Sequence, residues 1–198
     1  MIRLFLPMLA FVFAGASVQA QTAWNVDKNH SQVLFSVNHM VFSEVTGSFR
    51  DFDATFVSAK DDFTDAKVTA TIKTASIDTQ NERRDNHLKS NDFLNAEKFP
   101  EIKFTSTKVE KTGKDTYRIT GDLTIRDVTK PVVLEATYRG MIDDPWGNKR
   151  IGFKATTVVN RFDFGVSWDK ALETGGLIAG RDVSITLIMQ FTRPKQQG

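Results

Sequence analysis

Residues 66–73, AKVTATIK, decide the fold. Ala66, Val68, Ala70 and Ile72 alternate with Lys67, Thr69, Thr71 and Lys73. Successive side chains of a strand point to opposite faces, so this period of two predicts a strand with one dry and one wet side. The pattern returns along the chain. Tyr117, Ile119, Leu123 and Ile125 stand against Arg118, Thr120, Asp122, Thr124 and Arg126. Val132, Leu134, Ala136 and Tyr138 follow, then Ile151, Phe153, Ala155 and Thr157. Val183, Ile185, Leu187, Met189 and Phe191 complete the series against Ser184, Thr186 and Gln190. With further strands over 24–27, 31–38, 45–57 and 102–109, the total is about eight or nine. Between Phe49 and Phe52 the phase slips by one residue, which predicts a bulge near Arg50-Asp51 that bends the sheet.

Turn residues separate the strands. Thr112-Gly113-Lys114-Asp115, Asp127-Val128-Thr129-Lys130-Pro131 and Asp143-Asp144-Pro145-Trp146-Gly147-Asn148 carry the Gly, Pro, Asn and Asp that tight reversals need. Short connections make neighbours antiparallel, and few strands are flanked by helical patterns, so an antiparallel barrel or sandwich is favoured. One segment breaks the alternation. From Thr79 to Pro100, Thr79 with Glu82 fits a capping box opening a helix, and Ser90 or Asn91 caps a second short helix through Leu94. The outward positions Lys67, Lys73, Arg118, Asp122, Arg126 and Glu135 argue against an outer-membrane barrel, whose outside must be apolar. The apolar set then points inward.

The chain opens MIRLFLPMLAFVFAGASVQA, with Arg3, an apolar run from Leu4 to Ala14, and the small-residue site Val18-Gln19-Ala20. This reads as a secretory signal over 1–20, too short to span a bilayer. The remaining 21–198 are expected to form one exported domain that is not an integral membrane protein. Losing Arg3 lowers the net charge from +2 to +1, which leaves no field to recruit nucleic acid. There are 0 cysteines, which excludes disulfides and thiolate chemistry.

The candidate chemistry is thin. His30, His39 and His87 are the 3 histidines, and the odd spacing of His30 and His39 puts them on opposite faces of an unbroken strand, which argues against a shared metal. Asp163-Phe164-Gly165 spells a kinase motif without its partners, and Asp61-Asp62 and Asp143-Asp144 fall in solvated turns. Arg83-Arg84-Asp85 with His87 is the densest polar group. In a helix begun near Thr79, Arg84, His87, Leu88 and Asn91 share a face, where they either recognise a polar headgroup or close the barrel end.

Several stretches resemble a known family. Trp24-Asn-Val-Asp27, His30-Ser31, Phe35-Ser-Val37, His39-Met40 and Val45-Thr-Gly47-Ser-Phe49 look like the opening of the YceI-like, polyisoprenoid-binding family. Ile77-Asp78-Thr79, the run from Asn81 to Ser90, Phe93, and Phe99-Pro100-Glu-Ile102-Lys-Phe104 are similar to its most specific block. Gly121-Asp-Leu123-Thr124-Ile125, Thr129-Lys130-Pro131-Val132 and Asn160-Arg161-Phe162-Asp163-Phe164-Gly165 complete a match collinear over the mature chain. Relatives often carry a glycine where Arg126-Asp127-Val128 has none.

The resemblance implies an all-β, lipocalin-like extended antiparallel barrel of about eight strands, with a short helical segment near residues 79–96. It implies export to the periplasm, a long apolar pocket for an isoprenoid-type lipid (a polyprenyl chain, quinone or polyprenyl phosphate) and no catalytic residues; no metal or cofactor beyond that ligand is expected. By alternation, the lining is expected from Phe35, Val37, Phe49, Ile72, Phe93, Phe104, Ile119, Leu123, Leu134, Phe153, Phe164, Trp168, Ile185 and Leu187. Arg84, His87, Asn91 and His39 are the headgroup candidates. The alternatives are an enzyme acting on a lipid headgroup, a binder of fatty-acid or amide amphiphiles, and an accessory module docking on an envelope partner. An exposed edge strand leaves a homodimer open.

Overall fold

The computed structural model describes residues 21–40, 42–170 and 177–194. The expected signal segment at 1–20 lies outside the described residues. Among the described residues, eleven strand segments form one antiparallel sheet that closes as an eight-stave barrel.

The excess of segments over staves has a local cause. β1 (Thr22–Val26) and β2 (Gln32–His39) make one stave, interrupted by the 3₁₀ turn Lys28–His30. β3 (Ser43–Phe49) and β4 (Phe52–Ser58) make the next, interrupted at Arg50-Asp51, where the alternation slips. β5 (Lys67–Lys73) and β6 (Ile77–Asp78) make a third around the 3₁₀ turn Thr74–Ser76. The breaks face one another: the Arg50 N–H donates to Ser76 O at 3.1 Å and the Lys73 N–H to Asp51 O at 2.9 Å. One fold line therefore crosses adjacent staves, and the sheet bends there without leaving backbone groups unsatisfied.

Helix α1 (Glu82–Lys89) follows, and β7 (Glu101–Lys111), β8 (Thr116–Ile125), β9 (Val128–Asp143), β10 (Asn148–Asn160) and β11 (Ala179–Pro194) complete the wall. Closure comes from β11, which pairs with β10 on one edge and with both β1 (Val26↔Phe191) and β2 (Gln32↔Ile188) on the other. Alternation sorts the faces. Ile102, Phe104, Ile119, Leu134, Ile151 and Phe153 are buried, whereas Lys67, Lys73, Arg118, Asp122 and Glu135 are exposed on the outside. Among the described residues no helix is long and apolar enough to cross a membrane.

Three local expectations change. The helix cap is Asn81, whose Oδ1 accepts the Arg84 N–H at 3.0 Å, because the Thr79 hydroxyl is engaged by Asp85 instead. The second helix through Leu94 is a run of turns, closed by Phe93 N–H to Ser90 O at 3.1 Å. The reversal placed at 127–131 is tighter. β8 ends at Ile125 and β9 begins at Val128, leaving only Arg126-Asp127, with Arg126 at φ 56° in the left-handed region that favours glycine.

Candidate functional site

The barrel encloses a cavity of about 400 Å³, within the range of small-molecule sites. Its wall is built by period two: Val33, Phe35 and Val37 from β2, Ile119 and Leu123 from β8, Val183, Ile185 and Leu187 from β11 all face it. Two glycines make room for rings. A Cβ on Gly121 would lie 2.4 Å from Phe104 Cζ, and one on Gly47 would lie 2.4 Å from Phe35 Cζ, so both aromatic rings rest directly on backbone. Only glycine allows that approach.

One end is stoppered. Phe63, at φ 59° in the loop after β4, turns inward and packs within 5.4 Å of the Phe56 and Tyr138 rings. It is 5% exposed. Asp65 holds the loop shape, accepting from the Ser58 hydroxyl at 2.6 Å and the Ala59 N–H at 2.9 Å. Burial raises the Tyr117 and Tyr138 phenol pKa values above their ordinary value, as a closed apolar end should. Sequence reading missed Phe63; the available signal was a lone large ring inside the acidic run Asp61-Asp62-Phe63-Thr64-Asp65.

The other end is the mouth. Here β3 keeps only two pairs with β6, Ser48↔Asp78 and Phe49↔Ile77, and β9 parts from β10 beyond Glu135↔Thr156. Side chains from α1, the turns after it and the 161–168 segment line the cavity at this end. Among the described residues, every polar one of the lining, namely Asn38, His39, Arg84, His87, Thr157 and Arg161, belongs to this end or approaches it.

Arg84 and His87, three apart on α1, reach the cavity together with Leu88. Arg84 donates Nε to Thr79 Oγ1 at 2.7 Å and Nη2 to Thr79 O at 2.8 Å, while Thr79 donates its hydroxyl and its N–H to the buried Asp85 Oδ1 at 2.5 and 2.9 Å. His87 stands edge-on to Phe93 and Trp168, at 5.0 and 5.4 Å between centroids, and its Nε2 meets Asp92 Oδ2 at 3.0 Å. His39 pairs with Ala179 across β2 and β11 and lines the same space. His30 lies outside the barrel, against Asp27 at 2.9 Å.

Arg161, absent from the candidates, is the most buried charge here at 6% exposed. Asn160 caps its 3₁₀ turn and Gly165, at φ 70°, ends it, which turns the guanidinium inward. It donates to three carbonyls: Nε to Gly180 at 2.8 Å, Nη1 to Val166 at 2.6 Å and Nη2 to Ala179 at 3.0 Å. Burial pushes its pKa below the ordinary arginine value. Its signal was the Asn160–Gly165 stretch, whose Asp163-Phe164-Gly165 has a structural use as the end of that turn.

Of the expected lining, thirteen side chains border the cavity and Phe164 does not. Phe164 is 2% exposed and belongs to the buried core cluster, on a 161–164 turn that contacts β9, β10 and β11. Of the headgroup candidates, Arg84, His87 and His39 border it and Asn91 does not. The helix stops at Lys89, so Asn91 leaves the shared face; it is exposed and accepts from Asn95 at 2.8 Å. Among the described residues no three His, Asp or Glu side chains are placed to share a metal ion.

A closed antiparallel barrel with an apolar interior and polar groups confined to one end defines a class of single-cavity, lipocalin-like binding folds. Residues 24–191 match the YceI-like domain model, and the chain belongs to that family. It is 46% identical to Protein YceI of Escherichia coli over 156 residues, 79% of this chain and 81% of that one. The crystal structure of the Campylobacter jejuni YCEI protein is similar at a TM-score of 0.66 and 30% identity, covering 80% of this chain and 90% of that one. A polyisoprenoid binding domain from Saccharophagus degradans, implicated in plant cell wall breakdown, shares the fold at a TM-score of 0.66 and 12% identity, covering 86% and 98%.

Proposed function

We propose that this protein is an exported, periplasmic carrier that sequesters one isoprenoid-type lipid, its tail along the barrel and its head at the α1 end. The observation that carries the reading is the sorting of the lining, with apolar walls and a stoppered floor below and polar groups only at the mouth. Each tail methylene moved from water into such a wall gains about 0.8 kcal/mol, so affinity comes from length and the head adds orientation. The polyisoprenoid binding named for the Saccharophagus domain supports the choice of tail. Binding, not turnover, is the proposed activity, and no resident cofactor is required by it.

Native mass spectrometry of gently purified protein tests this. A bound lipid of several hundred daltons is the expected result. Ala155→Trp, which places an indole in the cavity wall, should abolish that mass while leaving the fold intact. Repeated preparations with nothing bound, and no uptake of added prenyl lipid, would overturn the proposal.

A further inference from the structure

The carrier reading above places a head at the mouth, and the groups there state what charge that head bears. Arg161 is a buried cation on the cavity wall whose three described acceptors are all backbone carbonyls. Carbonyls satisfy three of its five N–H donors but supply no formal charge. A buried cation with no counter-ion is costly, and proteins as a rule pair such groups. No described carboxylate lies within ion-pair distance of it: Asp169 attracts it only from farther away, and Arg181 repels it.

Arg84 repeats the pattern on the facing element. Its two described bonds end on Thr79, and the adjacent Asp85 is occupied by the Thr79 hydroxyl and N–H. Asp92, a further carboxylate at this end, meets His87 Nε2 at 3.0 Å. Phe93 lies 5.9 Å from the Arg161 guanidinium carbon and stacks near Trp168 at 5.1 Å, so an aromatic wall holds the fork in place. Two guanidinium forks on one apolar cavity, neither paired with a carboxylate among the described residues, are a receptor for a compact anion.

We infer that the ligand's head is a single small anion, a phosphate monoester or a carboxylate, received by Arg161 and Arg84, and that the barrel selects it over an uncharged alcohol or quinone on the same tail. A neutral head leaves the Arg161 charge uncompensated; an anionic one completes it.

The test is competitive native mass spectrometry of the full chain with geranylgeranyl monophosphate, geranylgeraniol, palmitate and hexadecanol. At least one acid should bind about tenfold or more tighter than its matched alcohol. The member showing the preference identifies phosphate or carboxylate as the head. Arg161→Gln and Arg84→Gln should each lower the acid-to-alcohol affinity ratio several-fold. Equal affinity of acids and alcohols, or a wild-type ratio that both substitutions leave unchanged, overturns this inference alone. Failure of all four probes to bind overturns the carrier reading and this inference with it. If Arg161→Gln does not fold, the wild-type ratio and Arg84→Gln still decide.

Discussion

Arg150 and Arg161 are both withdrawn from water, and their surroundings differ. Arg150, half-buried on the outer wall, donates Nη1 to Asp27 Oδ2 at 2.5 Å and Nε to Asp144 Oδ2 at 2.6 Å. Gln190 Nε2 adds a bond to Asp27 at 3.0 Å, so the clasp ties β10, β11 and the kink after β1 into one unit. Arg161 is the more buried of the two, and its hydrogen-bond partners among the described residues are all carbonyls. The first arrangement is complete within the chain. The second leaves a charge for something else to answer, which separates structural polar groups from binding ones more surely than residue type does.

The ends of the barrel repeat this difference, and the floor is where substitution should cost most. Phe63→Ala removes a ring packed between Phe56 and Tyr138 and opens the stopper. It is expected to destabilise by about 3–5 kcal/mol in urea unfolding. Trp168→Ala at the mouth, where the ring is only half-buried, should cost well under half of that yet weaken lipid retention more per unit of lost stability. Equal stability losses at both ends would erase the distinction between a structural floor and a binding mouth.

The walls between the ends give a smaller effect. Gly121→Ala puts a methyl 2.4 Å from Phe104 Cζ and also 2.6 Å from the Thr105 carbonyl oxygen, so the ring must move off the backbone. Overpacking of this kind costs about 1–3 kcal/mol, read from the midpoint of denaturant unfolding. Gly47→Ala meets Phe35 and the Thr79 methyl, both side chains and nearer the mouth, and should be milder. A larger loss at Gly47 than at Gly121 would mean that the mouth is packed more rigidly than the wall.

How much of this was legible follows from what periodicity encodes. Alternation over 66–73, 117–125 and 183–191 is a local property of a strand with one wet face, so wall residues such as Ile119, Leu134 and Ile185 could be placed without knowing the topology. Phe164 has the same apolar character and is buried in the core, yet it does not border the cavity, because its position is set by a 3₁₀ turn with no period of two. Phe63 and Arg161 were missed for a related reason: both are aimed inward by single left-handed residues, Phe63 itself and Gly165, which alternation does not report. Asn91 was misplaced by two residues of helix that never form, since Ser90 ends α1 through the bond of its own N–H to the His87 carbonyl.

The smallest effect is one of pH, and it sets the two arginines apart directly. Burial acts to raise the Asp144 carboxyl, but hydrogen bonds from Asn148, Arg150 and Trp146 overcome it and hold the pKa down from 3.8 to about 2. A carboxyl depressed in the folded state contributes stability that is fully present above its unfolded pKa and lost as pH falls through the folded one. The window here runs from 3.8 down to about 2. Asp144→Asn should therefore be less stable than the parent by a constant margin above that window, with the margin shrinking inside it, as followed by thermal unfolding from neutral to acid pH. Arg161→Gln removes a cation whose direct partners are non-titrating carbonyls, so its margin should pass through the same window without a comparable step. A step at Arg161 would place a carboxylate of this chain beside its guanidinium, and the charge assigned there to a ligand would already be answered from within.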